Sequence, residues 1–99
     1  MKLREIAHSR AGDKGNISNI SVIAYREKDY KTIAEKVTPA RIKEYLGEIA
    51  KGEVVIYRLP KLWAINIVMY KALGGGVTRS LSLDTHGKSL SSLIMDMEI

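Results

Sequence analysis

Lys61-Leu62-Trp63-Ala64-Ile65-Asn66-Ile67-Val68-Met69-Tyr70-Lys71-Ala72-Leu73 is the stretch on which the fold turns, and between its two lysines only Asn66 is polar. It runs into Gly74-Gly75-Gly76, which ends it. Its length favours a helix over a strand, and apolarity on every side predicts a helix that is buried or lies in an interface. Upstream, Glu53-Val54-Val55-Ile56-Tyr57-Arg58-Leu59 is rich in β-branched residues and reads as a strand that Pro60 closes. Before it, Tyr30, Ile33, Ala34 and Val37 keep a 3.6-residue period. Thr38 then predicts the N-cap of a second helix, with Pro39 at its first position. Ile42, Tyr45, Leu46 and Ile49 supply that helix's apolar stripe, and Gly52 ends it.

The N-terminal part predicts two strands. Residues from Leu3 to Ser9 read as a short strand, and Ile17 to Tyr25 as a longer one with β-branched residues on both faces, which predicts burial on both sides. Ala11-Gly12-Asp13-Lys14-Gly15-Asn16 between them is a dense turn signal, so the pair reads as a hairpin with a long glycine-containing loop. Downstream of the glycines, Thr78 to Asp84 alternates as a strand, and Asp84-Thr85-His86-Gly87-Lys88 is a turn. Ser89 then caps a last short helix carrying Leu90, Leu93, Ile94 and Met97. The order β-β-α-α-β-α-β-α predicts an α+β fold: a four-stranded sheet with helices packed on it, a ferredoxin-like sandwich in one domain over residues 1–99.

Composition narrows the class. At 99 residues with 45% hydrophobic and 27% charged side chains, the chain has the means for one core and no more. No apolar run approaches the ~20 residues of a membrane span, and no apolar signal segment follows Met1, so the expected location is cytoplasmic. The absence of cysteine excludes disulfides, thiolate zinc ligands and a cysteine nucleophile. The net charge of +5 suggests an anionic partner. From Arg58 through Lys61 and Lys71 to Arg79 there is no acid, a distribution that concentrates anions or simply keeps a small protein soluble.

Three segments carry the candidate chemistry. In His8-Ser9-Arg10-Ala11-Gly12-Asp13-Lys14-Gly15-Asn16, glycines let backbone N–H groups converge while Arg10 and Lys14 add charge, which suits phosphate or carboxylate. The spacing is not that of a Walker A loop, and a plain turn reads the same way. Asp13 is a candidate general base if a dry surrounding raises its pKa. Gly74-Gly75-Gly76, followed by Val77, Thr78 and Arg79, is the second segment. Each ordered glycine costs up to ~1 kcal/mol against alanine, so three in a row point to close approach of a ligand or another chain. Asn66 is the third: an amide in an apolar helix needs a structural partner in a loop backbone, or braces one of the glycine segments. His8 and His86 with Asp13 and Asp84 lack the spacing of a metal site, so no metal and no cofactor is expected. No nucleophile elbow accompanies the serines. The chain has no phenylalanine and no aromatic RNA-binding pattern, and acids interleave its helices, so nucleic acid is not the expected partner.

Taken together, Ser9-Arg10-Ala11-Gly12-Asp13-Lys14-Gly15-Asn16 and Asn19-Ile20-Ser21-Val22-Ile23-Ala24 resemble the opening of the small ferredoxin-fold domain of AtuA-type (acyclic terpene utilisation) proteins. Leu59-Pro60, Leu62 to Asn66, Leu73 to Gly76, Ser80-Leu81 to Asp84 and Gly87-Lys88 continue the likeness in order along nearly the whole chain. Where the family tends to have Arg-Ser-Gly-Asp-Lys-Gly, Ala11 replaces the serine and removes its hydroxyl. The resemblance implies a domain found at the C-terminus of a much larger protein or as a separate small subunit beside one. The present chain looks like the separate form. It also implies a setting in the breakdown of branched or terpenoid acids as CoA thioesters, and it implies no catalytic residue. The expected function is that of a small subunit or accessory domain of an AtuA-type protein. It would contribute an acyl-CoA or carboxylate site through Arg10, Gly12, Asp13, Lys14, Gly15, Asn16, Asn66, Gly74, Gly75, Gly76 and Arg79. The expected partners are a larger AtuA-like subunit and further copies of the chain. The alternative is an oligomerisation or docking domain without a ligand, joined through the apolar Trp63–Leu73 segment and the glycines.

Overall fold

The computed structural model describes residues 1–14, 17–47, 50, 52–70 and 90–99, with Asp13 and Lys14 as backbone alone. A 3-10 turn at Leu3–Glu5 leads into strand β1 (Ala7–Lys14), and β2 (Ile17–Ala24) follows. Helices α1 (Glu27–Lys36) and α2 (Pro39–Leu46) come next, then β3 (Val54–Leu59), a 3-10 turn at Pro60–Leu62, β4 (Ala64–Tyr70) and α3 (Leu90–Met95). The four strands form one antiparallel sheet in the order β1-β2-β4-β3. This is the α+β, ferredoxin-like class that the sequence predicts.

The apolar stretch is where the structure departs from that prediction. Ala64–Tyr70 is not a helix but the strand that fills the slot between β2 and β3. Both of those neighbours run antiparallel to β4, so they are parallel to each other, and the chain between them crosses over through α1 and α2. The length argument fails because the run is not one element: Leu62 belongs to the 3-10 turn and Trp63 closes it, which leaves seven residues for the strand. The all-round apolarity marks a central strand. Ile65, Ile67 and Met69 point into the helix-covered core at 0% exposure, while Ala64 and Val68 are also buried on the opposite face. Ile65, Ile67 and Val68 are β-branched, and that composition is the signal that favours a strand.

Other boundaries shift as well. The first strand begins at Ala7 and continues through Gly12 and Asp13 to Lys14, which pairs with Ile17. Only Gly15 and Asn16 lie between the paired ends, so the predicted long loop is a two-residue connection. β2 is not buried on both sides: Ser18, Ile20, Val22 and Ala24 are buried, whereas Ile17 and Asn19 are exposed and Ser21 and Ile23 half-buried. Thr38 caps α2 as expected, its Oγ1 accepting from the Arg41 N–H at 3.2 Å, with Pro39 behind it. That helix stops at Gly47, whose φ of 60° favours glycine, rather than at Gly52. The predicted strand over Thr78–Asp84 lies outside the described residues.

The described helices all pack on one face of the sheet. Ile33 of α1, Ile42 and Leu46 of α2 and Ile94 of α3 join Ile20, Val22, Ile65, Ile67 and Met69 in a single core. The two chain ends close it off. Lys2 and Glu98 form an antiparallel bridge, Leu3 N–H donates to the Met97 carbonyl at 3.0 Å, and Arg4 pairs with Asp96. Tyr45 Oη donates to the Leu93 carbonyl at 2.6 Å, which ties α2 to α3.

Candidate functional site

The register defines the other face. Across β1, β2, β4 and β3 it aligns Arg10, Ser21, Asn66 and Tyr57 in one row, with Gly12, Asn19, Val68 and Val55 beside it. Alternation puts both rows on the side away from the core, because Ile20 and Ile67 lie between them on the core side. Arg10, Gly12, Asn19 and Tyr57 are exposed, and Ser21 and Asn66 are half-buried. Among the described residues no helix covers this face.

Asn66 organises it. Its Nδ2 donates to Ser21 Oγ at 2.9 Å and to Asn19 Oδ1. Both amide hydrogens are thereby directed at β2 side chains, rather than at a loop backbone or a glycine segment as a helical Asn66 predicts. Gly12, opposite Asn19 on β1, leaves open space: a Cβ placed there meets no atom within 4 Å. Arg10, on the edge strand, has no ion-pair partner among the described residues. Adjacent strands are about 4.8 Å apart, so Arg10 and Asn66 stand roughly 10 Å apart across β2. The combination is a cation, a hydroxyl and two amides on an exposed face with open space at Gly12, which suits a small oxygen-rich anion. His8 continues the face along β1, where its ring stacks on Tyr25 with centroids 5.4 Å apart.

Of the residues proposed from sequence, the fold brings Arg10, Gly12 and Asn66 to this face. Asp13 and Lys14 are placed by backbone only, at the end of β1. Tyr70, the last residue of β4, pairs with Ile17, so β4 ends at the edge of the sheet where β1 gives way to β2. Gly15, Asn16, Gly74, Gly75, Gly76 and Arg79 lie outside the described residues. The sequence reading does not single out Ser21 or Tyr57. The signal for Ser21 is the period-two recurrence of Asn19 and Ser21 among the apolar residues of β2, which marks a polar face. No cluster of metal-ligating side chains occurs among the described residues.

The turn into β4 carries a second feature. Trp63 adopts a left-handed backbone with φ 53°, and it is flanked by the exposed Leu59 and Leu62. Arg58, Leu59, Pro60, Lys61 and Leu62 line an open cleft of about 350 Å³ there.

Comparison with known families decides the relationship, since the model of the AtuA ferredoxin-like domain matches residues 1–99. The chain belongs to that family. No curated protein and no solved structure matches it. The AtuA ferredoxin-like domain here is therefore the whole chain, built on a sheet with one helix-covered face and one face free of helices among the described residues. No helix among them is long and apolar enough to cross a membrane.

Proposed function

We propose that this AtuA ferredoxin-like domain is an accessory domain or small subunit of a larger AtuA-type protein acting on CoA thioesters of branched acids. Its contribution is an anion site for an acyl-CoA or a carboxylate. The observation that carries the reading is the row Arg10–Ser21–Asn66 on the sheet face away from the helices, with open space at Gly12 beside it. Arg10 supplies the charge and Asn66 the fixed amide. Asp13, Lys14, Gly15 and Asn16 continue from the end of β1, and Gly74, Gly75, Gly76 and Arg79 follow β4 in sequence after Tyr70, which stands at that same end of the sheet. Asp13 is the candidate base. The setting is cytoplasmic, and the partner is the large subunit.

Calorimetry on the complex with a large AtuA-like subunit tests this. Arg10→Ala, Lys14→Ala and Arg79→Ala each weaken isovaleryl-CoA binding if the site is assigned correctly. Unchanged affinity in all three removes it.

A docking role without a ligand has its own supporting observation, the exposed Leu59, Leu62 and Trp63 at the turn before β4. That turn replaces the Trp63–Leu73 segment as the docking element, because Ile65, Ile67 and Met69 are committed to the core. Light scattering separates the two readings: a stable assembly that binds no acyl-CoA favours docking alone.

A further inference from the structure

We propose that the outer edge of β3 pairs with the same edge of a second copy, joining two four-stranded sheets through an antiparallel contact centred on Ile56. This contact is independent of the anion site above, since it uses an edge of the sheet and leaves Arg10 on the far strand free. Tyr70 N–H donates to the Glu53 carbonyl at 2.9 Å, which sets the phase of the β3–β4 ladder. Bonded and non-bonded pairs alternate in an antiparallel sheet. Val55, Tyr57 and Leu59 therefore bond to β4, and Val54, Ile56 and Arg58 turn their N–H and carbonyl groups outward. Among the described residues no hydrogen bond reaches those outward groups.

The two edges of the sheet differ in how they meet a copy of themselves. β1 carries His8, Arg10 and Lys14 on one face. A two-fold contact there sets Arg10 on His8, Arg10 on itself, Lys14 on His8 or Lys14 on Arg10 as its centre moves from Ser9 to Gly12. Like charges directly opposite are destabilising, so β1 is guarded against self-pairing. β3 has no such guard. It holds no proline, its register with β4 runs unbroken from Val54 to Leu59, and Arg58 is its one charged residue.

A two-fold axis through Ile56 is the centre that pairs all three outward residues: Ile56 with its own copy, and Val54 with Arg58 on either side. Arg58 thus meets a valine and not a second cation, and its Nη2 is already directed to the Ala34 carbonyl at 3.3 Å. Val55 then stands opposite Tyr57 in a non-hydrogen-bonded pair, the kind in which side chains approach closest, and a β-branched residue against an aromatic stabilises such a pair. Tyr57 is 53% exposed in the single chain, so it has surface to bury. Beside the edge, Val37, Thr38 and Pro39 face Ile56, Tyr57 and Arg58 across a groove of about 320 Å³. Ile56 of the second copy enters that groove. The contact is isologous, so it closes at two copies.

Sedimentation equilibrium on the full chain, with no large subunit present, tests the contact. A single strand pair is at the small end of protein interfaces, so the mass is expected to rise from monomer towards dimer between about 10 μM and about 1 mM. Monomer throughout that range overturns the proposal. Disulfide trapping reads the register, because the chain has no cysteine of its own. Val55→Cys and Tyr57→Cys proteins, mixed and oxidised in glutathione buffer, are expected to give at least fivefold more cross-linked dimer than either alone. A mixture no better than its components overturns the register. Self-cross-linking of Ser9→Cys at the level of that mixture moves the contact to β1 and overturns it as well. Charge supplies a second reading. Val55→Glu with Tyr57→Glu sets carboxylate against carboxylate and is expected to weaken the dimer at least tenfold, whereas Val55→Lys with Tyr57→Glu keeps it within threefold of wild type. Equal weakening of the two doubles would mark a merely damaged strand and removes the pairing. If either double fails to fold, the cysteine mixture decides. A dimer that binds no isovaleryl-CoA leaves this contact standing and removes the anion site; a monomer that binds it does the reverse.

Discussion

Asn66 on β4 faces Ser21 on β2 across a strand pair, and its Nδ2 donates to Ser21 Oγ at 2.9 Å. A hydrogen bond of this kind contributes about 0.5–1.5 kcal/mol net, with the lower part of the range expected at a half-buried site. In a double-mutant cycle of Asn66→Ala and Ser21→Ala, we expect each single change to cost under about 1.5 kcal/mol, with a coupling of about 0.5–1 kcal/mol, measured by urea unfolding. Strict additivity would mean that the two side chains do not share a bond.

The same pair shows how far the sequence could be read. The class of fold was legible because β2, β3 and the helices carry local signals: β-branched runs, the 3.6-residue period, and the Thr38-Pro39 start of α2. β4 was not legible, because a central strand with apolar residues on both faces loses its alternation. Asn66 was then its only polar mark, and one amide in an apolar run does not distinguish a strand from a helix. The row Arg10–Ser21–Asn66 was hidden for a related reason. Arg10, Ser21 and Asn66 are far apart in sequence, and only the pairing register brings them into line. Arg10, Gly12 and Asn66 could still be picked out singly, as a cation and a glycine in a turn-like segment and an amide among hydrocarbons.

If Ala64–Tyr70 is a strand, truncations along it must alternate in cost. Ile67 is fully buried against the helices, so Ile67→Ala is expected to cost about 2–5 kcal/mol. Val68, at 9% exposure and outside the main core, should cost less when cut to alanine, about 1 kcal/mol. Chemical denaturation of both variants checks the ratio. A Val68→Ala cost equal to or above that of Ile67→Ala contradicts the assignment of faces.

The pairing of the chain ends predicts a pH window. The Met1 ammonium donates to Glu98 Oε2 at 2.9 Å. That hydrogen bond and the Glu98 charge raise the amine above its ordinary 8.0, and the ammonium in turn lowers Glu98 below its ordinary 4.5. A raised amine stabilises in full below 8.0 and loses its contribution as pH rises through the higher folded value. A lowered carboxyl stabilises above 4.5 and loses its contribution as pH falls through the lower folded value. The melting-temperature difference between wild type and Glu98→Gln should therefore be flat between about 4.5 and 8.0 and shrink on both sides. Both groups are exposed, so added salt should erase most of it. A difference that grows above the upper limit would exclude the pair as its source.

Gly12 offers a separation of stability from binding. It sits within β1, and a Cβ there meets nothing, so no steric requirement of the fold calls for glycine. Alanine in a strand is favoured over glycine by about 0.5–1 kcal/mol, so Gly12→Ala should leave the melting temperature unchanged or raise it. Larger residues at this position stand over the open space beside Asn19. Gly12→Val is expected to weaken isovaleryl-CoA binding while keeping the fold. A stable Gly12→Val protein with full affinity would place the ligand elsewhere.

Trp63 carries the last prediction. A bulky side chain in the left-handed region costs about 1–2 kcal/mol relative to glycine. The residue is 40% exposed and stands next to Leu62, itself 66% exposed, so burial within this chain returns only part of that cost. Strain retained at an exposed apolar turn is what a contact with a second protein surface would justify. Trp63→Gly relieves the backbone and removes the ring. The two effects offset, and the thermal midpoint should move by only a few degrees. Association with the large AtuA-like subunit should weaken by at least tenfold, read by light scattering of the mixed proteins. If Trp63→Gly instead unfolds the chain, the ring is structural after all. If it binds the subunit as wild type does, the turn is not the contact.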